Sequence, residues 1–184
     1  MIQTPQKHAA AADPYLEAFT RVEREASSNP PWLLSSRRAA LSRYAELGFP
    51  TLKDEDWRFT NIAPIAKLPF RQAVAPTRES LASQDVRRFA FGQLHAHRLV
   101  FVNGHYSDEL SSVLPHADGV RISSLGTAVN MDPDLIERHL GTYLSSEANV
   151  FAALNTALFH DGAFIFVPAG RAVEEPVHLL FIST

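Results

Sequence analysis

Apolar residues in the first part of the chain recur at the spacing of amphipathic helices. The stripe Leu16–Val22 follows Asp13-Pro14, and an acid at the N-cap with Pro at the first helical position is a typical helix start. A second stripe runs from about Trp32 to Leu47 and stops at Gly48, where a helix-ending glycine belongs. The pattern predicts two helices joined by a short Pro-containing turn, and their buried stripes need another element to pack on.

From about residue 92 the pattern becomes that of short strands separated by short helices. His97–Val102 predicts a buried strand, and Asn103-Gly104 directly after it is a strong signal for a tight hairpin turn. Val120–Ile122 predicts another short strand. The apolar residues of Val150–Leu158 predict a helix that stops at Asp161-Gly162.

The last residues predict two more strands, Ala163–Val167 and about Val177–Ser183, with a turn at Pro168-Ala169-Gly170 between them. The second strand would run to the end of the chain without a polar tail, leaving apolar side chains and backbone groups unpaired. Because complete proteins usually avoid such an edge, we expect the polypeptide to continue beyond Thr184.

Composition is that of a globular protein with a core, since 46% of the 184 residues are hydrophobic and 20% are charged. A net charge of -3 offers no basic surface for nucleic acid or an anionic membrane. The apolar runs are far shorter than the roughly 20 residues that span a bilayer. The first residues also lack the sustained apolar segment of a signal peptide, so we expect a cytoplasmic location.

Cysteine is missing from the sequence. This excludes disulfides, thiolate nucleophiles and structural Cys–zinc sites within these residues, together with the usual thiolate ligation of an iron–sulfur cluster. Glycine-rich phosphate loops and the Gly-x-Ser-x-Gly nucleophile motif do not occur either. The sequence therefore predicts no catalytic, cofactor-binding or metal-binding residue.

Histidines provide the first set of candidate ligands. His95 and His97 are spaced so that both would point to one face of a strand, and two such imidazoles could ligate a metal. No third ligand is spaced nearby, which favours a partly exposed pair at the strand entrance. His139 and His160-Asp161 lie near predicted helix C-termini, where a cation complements the helix dipole, and this structural role is favoured over a catalytic dyad.

The acidic run Asp54-Glu55-Asp56 provides the second set. Three adjacent carboxylates could bind a divalent cation, but Thr51 with Asp54 matches an N-terminal capping arrangement, and we favour capping. The aromatic pair of Trp57-Arg58-Phe59, with Lys53 before it, could stack on a nucleic-acid base. Without a wider basic patch, local packing is the preferred interpretation.

Four segments are similar to the SufD family and, more loosely, to its paralogue SufB. Gly48–Asn61 reads Gly-Phe-Pro-Thr-Leu-Lys-Asp-Glu-Asp-Trp-Arg-Phe-Thr-Asn and resembles a SufD signature. Leu99–Gly104, Ala153–Ala157 and pieces of Asp161–Leu180 agree with the same family in the same order. The resemblance covers roughly residues 15–184.

The resemblance implies an α+β fold in which a helical N-terminal region is followed by the start of a right-handed parallel β-helix. The residues themselves predict a disordered leader over 1–12, which could bury too little surface to order, and a weaker helix from Pro76 to about Phe89. Residues 13–91 are then expected to form the helical N-terminal region. Residues 92–161 are a mixed α/β connecting region. Residues 162–184 would be the first rungs of the β-helix, cut short because family members are more than twice as long as this chain.

The resemblance also implies a non-catalytic scaffold component of an iron–sulfur cluster assembly system, with SufB and the ATPase SufC as partners. An iron–sulfur cluster is expected only in the full complex. The family's cluster-building residues and SufC contacts lie in its later parts, so none of them is assigned to a position of this sequence. A homodimer is a further arrangement that the resemblance leaves open.

Two alternatives stay open. The first is a β-solenoid enzyme, such as an acyltransferase or a lyase, with a helical leader. Such transferases usually show short hexapeptide-like repeats, which the sequence lacks. The second is a SufB-like role as the main cluster scaffold. The missing cysteines count only weakly against it, because the relevant cysteines could lie beyond Thr184.

Overall fold

The structure is a computed structural model of the chain. It describes residues 13–25, 29–68, 70–71, 73–75, 89, 94–144, 147 and 149–184. The predicted leader, residues 1–12, and all but Phe89 of the predicted helix from Pro76 onwards lie outside these ranges. The predicted boundary near residue 91 therefore stays a prediction.

Six helices, five strands and one 3-10 turn are present in the described residues. In chain order they are α1 (Pro14–Glu25), α2 (Pro31–Leu47), the 3-10 turn (Glu55–Trp57), α3 (Ala63–Ala66), β1 (His97–Val102), β2 (His105–Tyr106), β3 (Arg121–Ser124), α4 (Leu125–Met131), α5 (Pro133–His139), α6 (Val150–Leu158), β4 (Ala163–Phe166) and β5 (Val177–Ile182). None of these helices is long and apolar enough to cross a bilayer.

The chain forms two compact units, each built from separated stretches of sequence. The first unit falls within residues 1–28, 36–71 and 145–158. The second comprises residues 29–35, 72–144 and 159–184.

Helices α1, α2 and α6 supply the core of the first unit. Their buried side chains form two clusters, one of Phe19, Ala40 and Ala157 and another of Tyr44, Val150, Ala153 and Leu154. The two predicted N-terminal helices are confirmed, and α6 is the element on which their apolar stripes pack. This burial removes apolar surface from water, which is the main force that holds short helices together.

Asp13 begins α1 as predicted and also ties it to α2. Its Oδ1 accepts a hydrogen bond from the Tyr15 backbone N–H at 2.9 Å, which is an N-cap bond. Its Oδ2 accepts from the Tyr44 hydroxyl at 3.0 Å. Burial and the neighbouring Asp13 charge raise the pKa of Tyr44, so this phenol stays a donor at all ordinary pH values.

Strand β1 is the centre of a three-stranded sheet in the second unit, with the order β2-β1-β5. It pairs antiparallel with β2 through a turn in which Asn103 has φ 52° and Gly104 has φ 83°. This confirms the predicted Asn-Gly hairpin, because both central residues of such a turn need positive φ. On its other edge β1 pairs in parallel with β5, from His97 opposite Val177 to Val102 opposite Ile182.

The predicted parallel β-helix is wrong for this part of the chain. In a β-helix, successive strands stack as parallel neighbours, but β4 pairs antiparallel with β3 whereas β5 pairs with β1 in another sheet. Ile165 in β4 is exposed, so this strand is not covered on both faces. A continuous apolar run is compatible with several pairings, and here contacts distant in sequence decide between them. The fold is α+β with small sheets.

The strand expected to lack a partner is therefore paired. β5 lies beside β1 along its whole length, and Asn103 closes the far end of the pair. Its side-chain amide donates to the Thr184 hydroxyl at 2.9 Å, and its carbonyl oxygen accepts from the Thr184 backbone N–H at 3.0 Å.

Candidate functional site

The segment Gly48–Asn61 borders a cavity in the first unit, which we call the motif cavity. It has a volume of about 360 Å³. Its lining combines three acidic residues with apolar and amide side chains: Leu47, Gly48, Phe49, Pro50, Asp54, Glu55, Asp56, Trp57, Asn149 and Val150. Most of these residues belong to the motif that resembles SufD.

Thr51 and Asp54 pair as predicted and shape one wall of the motif cavity, but the Asp54 side chain does not cap the 3-10 turn that follows. Asp54 Oδ2 accepts hydrogen bonds from the Thr51 backbone N–H at 2.7 Å and from the Thr51 hydroxyl at 3.0 Å. The Thr51 hydroxyl oxygen in turn accepts from the Lys53 backbone N–H at 3.2 Å. The hydrogen bonds from Thr51 lower the pKa of Asp54, so its carboxylate stays ionised and holds the turn.

The aromatic residues of the motif have different environments. The Trp57 ring packs 5.3 Å from Phe151 of α6, which agrees with the predicted local packing. Phe59 is 86% exposed, so local packing is wrong for this residue. The Arg58 guanidinium lies 4.6 Å from the centre of the Phe59 ring and forms an ion pair with Glu55 at 2.9 Å.

Asn149 is a residue of the cavity that the sequence interpretation missed. Its side-chain oxygen accepts from the backbone N–H groups of Phe151 at 2.9 Å and Ala152 at 3.1 Å, so it caps α6. An Asn immediately before an apolar helical stripe is the signal that would have identified it. The cap fixes the start of α6 against the motif.

His95 and His97 do not form the partly exposed pair that the sequence predicted. His97 is fully buried in β1, and its Nδ1 accepts from the Leu114 backbone N–H at 3.2 Å. His95 precedes the strand and is exposed. Within the described ranges, no cluster of three or more His, Asp or Glu residues is arranged to hold a metal ion.

The other predicted histidines lie at helix ends. His139 is in the last turn of α5, and its Nδ1 is 2.6 Å from the Tyr143 hydroxyl. His160 follows α6, and its ring lies 4.6 Å from His105. The neighbouring Asp161 instead contacts backbone: its Oδ1 accepts from the N–H of Gly126 at 2.8 Å and of Gly162 at 2.8 Å.

Asp161-Gly162 completes the N-terminus of α4. The first backbone N–H groups of this helix donate to three different acceptors. Leu125 donates to Gly162 O at 2.6 Å and Gly126 to Asp161 Oδ1 at 2.8 Å. Thr127 donates to Ser124 Oγ at 3.1 Å. The carboxylate also complements the positive end of the helix dipole. This segment of the SufD-like motif therefore has a structural role, as the sequence suggested.

We expect Asp161→Ala to lower the free energy of unfolding of the second unit by about 1–2 kcal/mol, because the Gly126 amide loses its acceptor. The chain has two tryptophans, Trp32 and Trp57, and Trp32 packs against the α4 cluster. Urea unfolding of a Trp57→Phe background, followed by Trp32 fluorescence, measures this loss. The exposed Asp134→Ala is the control, and a loss equal to that of Asp161→Ala would contradict the capping role.

The chemistry available in the motif cavity is that of recognition. Its carboxylates and the Asn149 amide can accept or donate hydrogen bonds, and Trp57 offers a flat apolar face. These groups can hydrogen-bond to another molecule and stack on it.

Comparison with known proteins identifies the family. The profile described as "SufBD protein N-terminal region" matches residues 9–179. The chain is 27% identical over 180 residues to the iron–sulfur cluster assembly SufBD family protein slr0076 of Synechocystis sp., covering 98% of this chain and 39% of the relative. Over 179 residues it is 27% identical to the chloroplastic SufBD family protein ABCI8 of Arabidopsis thaliana, covering 90% of this chain and 32% of the relative.

A mycobacterial relative extends the comparison. The chain is 28% identical over 179 residues to the SufBD family protein Mb1496 of Mycobacterium bovis, covering 90% of this chain and 20% of the relative. The chain thus spans between 20% and 39% of the length of these three relatives. Because the profile matches nearly the whole chain, the protein belongs to the SufBD family and contains its N-terminal region.

Proposed function

We propose that this chain is the N-terminal part of a SufD-type, non-catalytic scaffold component that acts with SufB and SufC in iron–sulfur cluster assembly. The observation that carries the proposal is the match of residues 9–179 to the SufBD N-terminal profile. The three relatives are named as iron–sulfur cluster assembly proteins, which supports the same process for this chain. A cytoplasmic location and a cluster held only in the full complex belong to the same proposal.

The chemistry of the described residues supports a structural role. Without cysteine, this part of the protein supplies no thiolate to a cluster. The motif segments form turns, caps and core: Thr51 with Asp54 closes a turn, Asn149 caps α6 and Asp161 caps α4. These contacts stabilise a surface on which partners can dock rather than a reacting centre.

The choice of SufD over SufB rests on the Gly48–Asn61 motif, which resembles SufD more closely. The family description covers both proteins, so the SufB-like role stays the alternative. Within the described residues, β4 and β5 belong to different sheets, so this part of the chain gives no support to the β-solenoid enzyme.

We expect the full-length protein that contains this chain to co-purify with SufB and SufC, and residues 1–184 alone not to bind SufC. Affinity-tagged versions of both, mixed with purified SufC and separately with SufB, test this by pull-down and size-exclusion chromatography. Full-length protein is the matched positive control for the fragment. Tight binding of SufC by residues 1–184 would contradict the assignment of that interface to later residues, and failure of the full-length protein to bind either partner would contradict the scaffold role.

A further inference from the structure

One edge of β1 is covered by an irregular segment, Ser107–Leu114, which we call the edge strap. The Ser107 backbone N–H donates to Val100 O at 2.9 Å. The Val100 N–H donates to the Ser111 hydroxyl oxygen at 2.9 Å, so a side chain replaces a backbone acceptor. The strap thereby protects a strand edge that would otherwise be open to pairing with another chain.

The other end of the edge strap is held at the beginning of β1. Arg98 and Ser112 exchange two backbone hydrogen bonds, of 2.7 and 2.8 Å. Beyond them the Leu114 N–H donates to His97 Nδ1 at 3.2 Å. This last contact depends on a titratable side chain, whereas the contacts at Ser107 and Ser111 do not.

His97 must be neutral to make this contact. A ring nitrogen that accepts a hydrogen bond carries no proton, so the proton of the neutral ring is on Nε2. That Nε2 is buried and has no hydrogen-bond partner. His116, whose ring centre is 5.8 Å away, and the nearby His95 disfavour a positive charge here, while Glu175 favours it.

We propose that protonation of His97 in acid detaches the Ser112–Leu114 end of the edge strap from β1. A proton taken from solvent onto Nδ1 turns the acceptor into a donor that faces the Leu114 N–H, and the hydrogen bond is lost. The charged ring then gains solvation only if the strap moves away. Residues near Ser107 stay attached, so the opening is local and exposes the β1 edge at Arg98.

The direction of the pH dependence follows from the neutral state of the buried ring. Burial, followed by the charge of His116, lowers the pKa of His97 below its ordinary value of 6.5. Above pH 6.5 the ring is neutral in both open and closed forms, and the strap is fully stable. As the pH falls below 6.5, the open form takes up the proton and the closed form does not, so the closed form becomes less stable. This loss continues down to the lowered pKa of the closed form, below which both forms are protonated.

Amide hydrogen exchange of the whole 184-residue chain, followed by NMR from about pH 7.5 to about pH 5, tests the proposal. After correction for intrinsic rates, the Leu114 amide should lose protection by about tenfold per pH unit within the window. The Asn103 amide, which donates to Ile182 on the opposite edge, should keep its protection. Equal loss at both amides would indicate unfolding of the whole sheet and would overturn the proposal.

A matched pair of variants assigns the effect to one histidine. His97→Asn keeps a polar atom near the Nδ1 position but does not titrate, so the Leu114 protection should become independent of pH. His95→Asn changes an exposed histidine two positions earlier, so the loss of protection with falling pH should remain, in a window that is slightly narrower because the His95 charge no longer lowers the pKa of His97. The reverse pattern would refute the role of His97.

A measurement on the unmodified chain covers the case in which His97→Asn does not fold. The ¹⁵N shifts of the His97 ring at about pH 7.5 report which nitrogen carries the proton. We expect a protonated Nε2 and an unprotonated Nδ1. A protonated Nδ1 would rule out the hydrogen bond from Leu114 and, with it, the release.

Discussion

Phe101→Ala is expected to lower the free energy of unfolding of the second unit by about 3–5 kcal/mol. Phe101 is fully buried in β1, where its ring stacks on Phe181 at 5.0 Å and packs 5.6 Å from Tyr106. Truncation to Ala removes apolar contacts and leaves a cavity. The cavity stays open because the hydrogen-bonded strands cannot move to fill it. The loss should appear in urea unfolding followed by Trp32 fluorescence in the Trp57→Phe background.

Phe181→Ala is the matched control, because it removes the other ring of the same stacked pair. Phe181 is 65% exposed, so its truncation gives up the ring contact but leaves little cavity. We expect a loss of about 1 kcal/mol. Equal losses for the two variants would mean that the face of β1 that carries Phe101 is not the core of this unit.

Arg37→Ala is expected to lower the free energy of unfolding of the first unit by about 2–3 kcal/mol. The Arg37 side chain is only 3% exposed, and its Nη1 donates to the Ala157 carbonyl at 3.2 Å, near the C-terminal end of α6. Burial lowers the pKa of Arg37 to about 10, so the guanidinium keeps its charge at neutral pH and complements that helix end. The variant loses the guanidinium that donates to the Ala157 carbonyl, which then stays buried without this hydrogen bond.

Arg38→Ala, one position along α2, is the control for Arg37→Ala. Arg38 is 61% exposed and pairs with Glu23 at 2.7 Å, a surface ion pair that contributes less than about 1 kcal/mol. Trp57 fluorescence in a Trp32→Phe background reports on this unit, because Trp57 packs against α6. A larger loss for Arg38→Ala than for Arg37→Ala would contradict the role of the buried guanidinium.

Much of the candidate site could be predicted from local patterns. The Thr51–Asp54 turn, the stop of α2 at Gly48 with φ 62° and the packing of Trp57 all follow from residues close together in the sequence. The cavity beside them could not be predicted. It needs Asn149 and Val150, whose approach depends on how α6 packs in the core of the first unit.

The buried polar side chains were also beyond the sequence interpretation. Arg37 falls at helical spacing between Leu33 and Ala40 of the buried face, but its charge led the sequence interpretation to leave it out of the apolar stripe. His97 was expected to be partly exposed because it opens the predicted strand. Its burial results from contacts on the edge of β1 with Leu114 and His116, which belong to an irregular segment.

The sequence by itself determined the elements whose hydrogen bonds are local: the α1, α2 and α6 helices, the Asn103-Gly104 hairpin, the capped turn at Thr51 and the family resemblance. Tertiary structure alone decided that β5 pairs with β1 while β4 pairs with β3. Apolar strands have the same periodicity whatever their partner, so pairing is selected by contacts between distant residues. That is why these helices and turns were predicted correctly and the β-helix was not.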